Sequence, residues 1–272
     1  MGNDIITLSF NKIVFKSGSE CLAKIITEVE EYIFKHKEVK IREIIDVFEL
    51  SESTVRRYIK QLIKNGSIKK EYGFVVANVA DNLVNIKARI GYLSEKKVMI
   101  AQLAESFITD GDTIFVDSGT THMYLAEALS SKKDITIVTN NLLFAIKIVD
   151  SDTKANLIIV PGIVNKKTIS SSGDSTIRYI DEFYFDIAFI TASGVSIENG
   201  PSNRTLPECD IKRKIISRSK LNILLVDDSK FDKIFPFSFA TLDSFDYILT
   251  NKKPEDKFLE FVKKKKTNIK WS

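Results

Sequence analysis

The chain has 272 residues, with 40 lysines and arginines against 36 aspartates and glutamates, two histidines and two cysteines. That length accommodates one sizeable domain and one small one, and a formal charge of +4 defines no polyanion partner until the positive residues are located. No run approaches the roughly 18–20 apolar residues that cross a bilayer, and the first ten residues lack the basic start and apolar core of a secretion signal. No membrane partner is therefore expected, and the cytoplasm is the expected location. Cys21 and Cys209 form no metal-type pair and read as reduced thiols. His36 and His122 are too few for a histidine-rich metal site, so neither a metal nor a cofactor is expected.

Residues 1–18 alternate apolar and polar only in part (Ile6, Leu8, Phe10, then Ile13, Val14, Phe15) and carry no assignable function. From Ser19 to Lys37 the spacing predicts a helix, with Leu22, Ile25, Ile26, Val29, Tyr32 and Ile33 on one face. A short helix over Val39–Phe48, a turn at Glu49-Leu50-Ser51 and a helix from Glu52 to Asn65 follow, with Gly66 where a helix stop belongs. At about 100° per residue, Val55, Ile59, Leu62 and Ile63 share one side of that third helix. Ser53, Arg57, Lys60, Gln61 and Lys64 fall on the other. Arg56 lies on the flank, suited to a backbone phosphate, and Ser51 and Thr54 stand near the helix start, where recognition helices meet base edges. Ser67 to Val76 reads as a hairpin carrying Lys69 and Lys70. Residues 19–78 thus read as a winged helix-turn-helix domain whose partner is a double-stranded DNA operator. The plainer alternative is a three-helix domain with a solvated basic face.

Residues 79–95 read as a linker, partly helical through Ile86, Ile90 and Leu93. From residue 96 to 272 helices and strands alternate. The strands run through 113–116, 135–140, 156–160, 187–191, 222–226 and 247–250, and a last helix covers 254–264. Such alternation implies a mainly parallel α/β sheet with helices on both faces, and ligands in such sheets bind at the carboxyl ends of strands. Several strands end in small polar residues there: Asp117-Ser118-Gly119-Thr120-Thr121, Thr139-Asn140, Gly162, Gly194 and Asp228-Ser229-Lys230. Gly119 would let backbone approach a ligand, the helix after it offers unpaired N–H groups to a phosphate, and Lys230 can supply a charge. Ordinary turn and cap chemistry is the competing explanation of the same residues.

Taken together, these blocks resemble the DeoR/GlpR family of bacterial transcriptional regulators. Leu50-Ser51-Glu52-Ser53-Thr54-Val55-Arg56-Arg57 looks like that family's recognition helix, and Asp112-Thr113-Ile114-Phe115-Val116-Asp117-Ser118-Gly119-Thr120-Thr121 like its sensor signature. Lys97, Ile100 and Ala101, Val138-Thr139-Asn140, Asp186-Ile187-Ala188-Phe189 and Asp228-Ser229-Lys230-Phe231 match further blocks in order. The resemblance implies a sensor related in fold to ribose-5-phosphate isomerase and CoA transferases. It also implies effector binding by Asp117–Thr121, Thr139, Asn140, Gly162 and Lys230, and a homo-oligomer, dimer or tetramer, that represses a sugar operon until a phosphorylated sugar releases it. This chain departs from the family pattern at Tyr58, in the wing, at Pro161 and at Thr191. Two alternatives stand beside that reading: a second domain that only oligomerises, or a sugar-phosphate isomerase or CoA-transferase-like enzyme with Asp117 and Glu208 as its candidate carboxylates.

Overall fold

A computed structural model describes residues 25–26, 28–30, 32–34, 36–64, 68–77 and 94–272. The N-terminal alternation, the first turns of the expected first helix, Cys21, the stop at Gly66 and nearly all of the expected linker lie outside them. The chain divides into two compact units, Met1–Asn82 and Leu83–Ser272.

In the first unit, residues 25–26, 28–30, 32–34 and 36 are helical, and Val29, Ile33 and Phe34 are buried at helical spacing. The expected helix over 39–48 begins late. Glu38–Lys40 is a strand (β1), and only Ile41–Phe48 is helix (α1). β1 is decided by pairing rather than local preference: it lies antiparallel to a later strand, with Val39 opposite Val75. α1 ends on Glu49 in the left-handed region (φ 50°), and helix α2 follows at Glu52–Lys64. The wing is the strands β2 (Ile68–Glu71) and β3 (Phe74–Ala77) around a Tyr72-Gly73 turn in which both residues have positive φ. The three strands form one sheet of order β1-β3-β2. On α2, Val55, Ile59 and Leu62 are buried as expected, but Tyr58 joins them and Ile63 is 40% exposed. Tyr58 is three residues after Val55, so the buried stripe runs through it instead.

The second unit is a parallel sheet covered on both faces. Helix α3 (Ser94–Glu105) starts within the stretch read as linker and leads to β4 (Thr113–Val116), α4 (His122–Ala128), β5 (Thr136–Thr139), α5 (Leu142–Val149) and β6 (Asn156–Ile159). A small hairpin, β7 (Ile163–Asn165) and β8 (Ser170–Ser172), precedes α6 (Asp174–Ile180) and β9 (Phe185–Thr191). After β10 (Gly194–Ser196) and β11 (Gly200–Asn203) come α7 (Leu206–Ser217) and β12 (Ser219–Leu225). The chain finishes with β13 (Phe237–Ser238), β14 (Tyr247–Thr250), α8 (Asp256–Lys263) and β15 (Asn268–Trp271).

Seven strands make the main sheet, in the order β15-β14-β12-β9-β4-β5-β6, and every neighbouring pair in it is parallel. Alternation along β4 sends Ile114 and Val116 into one apolar layer with α3, α4 and α5, and Phe115 into the other with α6, α7 and α8. Each such fully buried side chain stabilises the fold by roughly 1.5–3 kcal/mol relative to exposure. The sequence reading lacked the short strands β7, β8, β10, β11 and β13 and the edge strand β15. These are two to four residues long: β7 with β8 and β10 with β11 make short hairpins, while β13 and β15 owe their extended form to strands earlier in the chain, β11 and β14.

The strand order fixes where a ligand fits. From β4 the chain winds outward through β5 and β6, and from β9 it winds the opposite way through β12, β14 and β15. β4 and β9 are therefore the neighbours at which the winding reverses, and the crevice at their carboxyl ends is the binding position of a doubly wound sheet.

Candidate functional site

At that reversal the polar loop after β4 is buried: Asp117 is 1% exposed, Ser118 8%, Thr120 5% and Thr121 6%. Asp117 does not point at an open site. Its Oδ2 accepts from the Thr191 amide (3.2 Å), the Thr191 hydroxyl (3.1 Å) and the Lys212 ammonium, while Oδ1 accepts from the Ser118 hydroxyl (3.2 Å). Burial by itself would raise the Asp117 pKa. The Lys212 charge, then His122, the Lys212 hydrogen bond and the Thr191 amide outweigh it and hold the value down to about 2. Lys212 is 1% exposed, donates also to the Thr191 carbonyl (3.0 Å), and lies over the Phe239 ring. This buried pair, linking β4, β9 and α7, anchors the loop from below.

Sequence reading missed Lys212. The one available signal was its spacing, three residues from both Cys209 and Ile215 on the buried side of α7, where a lysine is out of place unless paired. His122 is likewise fully buried. Neither ring nitrogen makes a hydrogen bond of good geometry among the described residues, although the carbonyls of Asp117 and Gly119 lie near enough to favour its protonation. Burial dominates, and with Lys212 it lowers the imidazole to about 4 despite Asp117. His122 is thus neutral at pH 7.

Several residues expected to touch a ligand also hold the loop. The Thr139 hydroxyl donates to Val116 O (2.6 Å) and accepts from the Asn141 amide (3.0 Å), which uses its one donor and one of its two lone pairs. Gly119 is small because Thr191 presses on it: a Cβ there would collide with the Thr191 side chain. A Cβ on Gly162 would meet the Thr176 hydroxyl and the Ser172 carbonyl. The chain's own packing already requires both glycines. Thr121 makes no side-chain cap to α4, whose seven residues begin directly after it. Lys230 is half-buried in a single 3-10 turn after β12, at the same end of the sheet.

What the loop leaves available is backbone. The N–H groups of Ser118, Gly119, Thr120 and Thr121 donate to no protein acceptor among the described residues. Asn141 braces the loop from β5, its Nδ2 lying 3.4 Å from both the Asp117 and Gly119 carbonyls. Asn140, beside it, donates to Ser171 O (3.0 Å), while its buried Oδ1 has no partner among the described residues.

The first unit presents a different kind of surface. Ser51, just before α2, is exposed, as are Ser53, Arg56, Arg57 and Lys60 on it, with Thr54 half-buried. The side chain of Lys64 lies outside the described set. The Ser51 hydroxyl accepts from the Thr54 amide (3.3 Å) and sits 2.9 Å from the Thr54 hydroxyl and 3.0 Å from that of Ser53. Ser51 therefore caps the helix. Arg56 is engaged by Glu52 one turn back (2.6 Å), whereas Arg57 packs over the Tyr58 ring (5.5 Å). On the wing, Lys69 and Lys70 are exposed.

A helix-turn-helix with a polar, basic outer face, in one chain with a doubly wound unit, defines a DNA-binding transcriptional regulator with a sensor unit. Residues 26–80 match the DeoR-like helix-turn-helix domain, and residues 93–252 match the DeoR C terminal sensor domain. The chain belongs to the DeoR family, whose members are regulators and not enzymes. It is 34% identical over 244 residues to the HTH-type transcriptional regulator IolR of Bacillus subtilis (strain 168), covering 90% of this chain and 97% of that protein. It is 26% identical over 238 residues to the HTH-type transcriptional repressor GlcR of the same organism, covering 87% and 91%. Among solved structures, a D-ribose-5-phosphate isomerase in complex with phospho-erythronic acid aligns with a TM-score of 0.38 and 19% identity, over 51% of this chain and 54% of that one. No helix among the described residues is long and apolar enough to cross a membrane.

Proposed function

We propose that this regulator is a repressor of a sugar-metabolism operon in the cytoplasm, and that a phosphorylated sugar bound at the β4–β9 reversal releases it from DNA. The observation that carries the effector half is the row of four unpaired amides at Ser118–Thr121. Buried N–H groups are nearly always satisfied, and consecutive ones in a loop form a nest for an anion. A phosphoryl group supplies the acceptors they lack. Asp117, Thr139, Gly119 and Gly162 would serve that site by positioning the loop, and Ser118, Thr120, Thr121, Asn140 and Lys230 by contact.

On the DNA side, residues 19–78 form the reading head, joined through 79–95 to the sensor at 96–272. Thr54, Arg57 and Lys60 would meet base edges in the major groove, with Ser51 and Ser53 setting the helix start. Arg56, Lys64, Lys69 and Lys70 would hold phosphates, which orient the protein without reading sequence. A homo-oligomer pairs two heads on repeated half-sites, and the sugar phosphate acts by binding unequally to the states that do and do not fit that spacing.

The test is a mobility-shift titration on the DNA upstream of the protein's own operon, with and without sugar phosphates. A specific complex dissolved by one of them is the expected result. A specific complex indifferent to all of them would reject the effector half and leave the second unit as an oligomerisation scaffold.

A further inference from the structure

Next to the amide nest lies a cleft to which, of the expected contact residues, only Asn140 contributes. The β7–β8 hairpin forms one side of it with Asn165, Thr168 and Ser170, and the start of α7 forms the other with Thr205 and Glu208; Asn140 enters from the end of β5. Its volume is about 180 Å³, below the roughly 300 Å³ at which complete small-molecule pockets begin. It accommodates one end of a ligand rather than the whole.

The lining decides which end. The wall carries one carboxylate, Glu208, and no lysine or arginine; the nearby cation that feels the Glu208 charge, Arg204, stands outside it, so the lining itself offers an anion no positive partner. Glu208 already accepts from the Thr205 hydroxyl through one oxygen (2.7 Å), which leaves acceptor capacity on the other. Asn140 is fixed through its amide nitrogen, and its Oδ1 is the unsatisfied acceptor noted above. Thr168 and Ser170 sit 2.7 Å apart, hydroxyl to hydroxyl, on either side of Ile169, a β-branched residue held at φ 48°. That strained geometry persists only where surroundings enforce it. Surplus acceptors beside hydroxyls call for a neutral group rich in O–H donors. The nest and the cleft meet at consecutive residues, since Asn141 braces the loop while Asn140 lines the cleft.

We infer that this cleft is the hydroxyl subsite of the effector, in which Asn140 and Glu208 accept hydrogen bonds from the polyhydroxylated carbon chain of a ligand whose phosphoryl group occupies the amides of Ser118–Thr121. The inference rests on the sugar-phosphate reading and adds which residues choose among sugars. Glu208, in the first turn of α7, is four residues before Lys212, so hydroxyl recognition and loop anchoring share one helix.

Calorimetric titration of the full chain with D-glucose 6-phosphate, D-fructose 1-phosphate and D-ribose 5-phosphate tests this, with inorganic phosphate as competitor. Glu208→Gln keeps the shape and the bond to Thr205 but discards the charge, and Thr168→Val removes a hydroxyl at constant volume. Glu208→Gln should weaken the bound sugar phosphate about tenfold to a hundredfold, the effect of a hydrogen bond to a charged group. Thr168→Val should alter the ranking of the three sugars, and inorganic phosphate should compete within twofold of its wild-type strength in both. Unchanged affinity and ranking in both variants would overturn the subsite while leaving the sensor reading standing. Equal weakening toward sugar phosphate and inorganic phosphate would overturn it too, as general loosening of the site. A wild-type protein that takes up none of the probes would reject the sensor reading itself.

Discussion

Two polar stretches of this chain look alike in sequence and behave oppositely in the fold. Ser51 to Arg57 and Asp117 to Thr121 each combine small hydroxyl residues with charge. On α2 the charged members stand in solvent, and their internal contacts are light: a helix cap with neighbouring hydroxyls, an i,i+4 ion pair and Arg57 over the Tyr58 ring. After β4 the same residue types are almost wholly buried, and Asp117 alone collects four hydrogen bonds from three residues. Polar groups in water can be exchanged at little cost to the fold, whereas buried ones are part of it. The reading head should therefore lose binding without losing stability. In the sensor the two should fall together.

The largest expected effect is at Lys212. Lys212→Met leaves the Asp117 carboxylate buried without a counter-charge, and urea unfolding of the second unit should show a loss of about 3–5 kcal/mol. Adding Asp117→Asn removes the stranded charge and should recover most of that loss. A Lys212→Met protein as stable as wild type would break the contrast between the two stretches.

Acid should act on the same place. His122 binds its proton in the unfolded chain near pH 6.5 but in the fold only near 4. Between those values the unfolded state holds more protons, so stability falls as pH drops, by about 3 kcal/mol in all. Asp117, lowered from 3.8 to about 2, adds a further loss as pH falls through that lower window. His122→Phe should flatten the upper part of the profile, which thermal melts from pH 7 to 4 would record. A profile unchanged by the substitution would place the acid sensitivity elsewhere.

The smallest effect on the fold, and the sharpest test of the first stretch, is Arg57→Ala. It should reduce discrimination between operator and random DNA by about 1–3 kcal/mol while stability stays within about 0.5 kcal/mol of wild type. Competition binding and a urea melt on the same preparation measure both quantities. Undiminished discrimination would remove Arg57 from the reading role.

Much of the architecture was legible because it is written in local periodicity. The alternation of apolar runs and amphipathic helices marks the sheet strands from β4 to β14, and α2 shows its buried stripe through Val55, Ile59 and Leu62. The short hairpins β7–β8 and β10–β11 and the strands β1, β13 and β15 escaped notice. β1 borrows its extended form from β3 and β15 from β14, with residues 41–73 and 251–267 lying between the partners.

The candidate site divides in the same way. Residue types and spacing alone picked out the loop Asp117–Thr121 and the neighbouring Asn140. That Asp117, Thr139 and Gly119 support the loop from behind was decided by tertiary structure, because it depends on Thr191 from β9 and Lys212 from α7 arriving at one buried point. The cleft beside it needed the β7–β8 hairpin and α7 to meet. A sequence records which groups are available and which face of an element is apolar. Which polar groups are satisfied, and which are left to bind something else, is settled only when elements distant along the chain close over them.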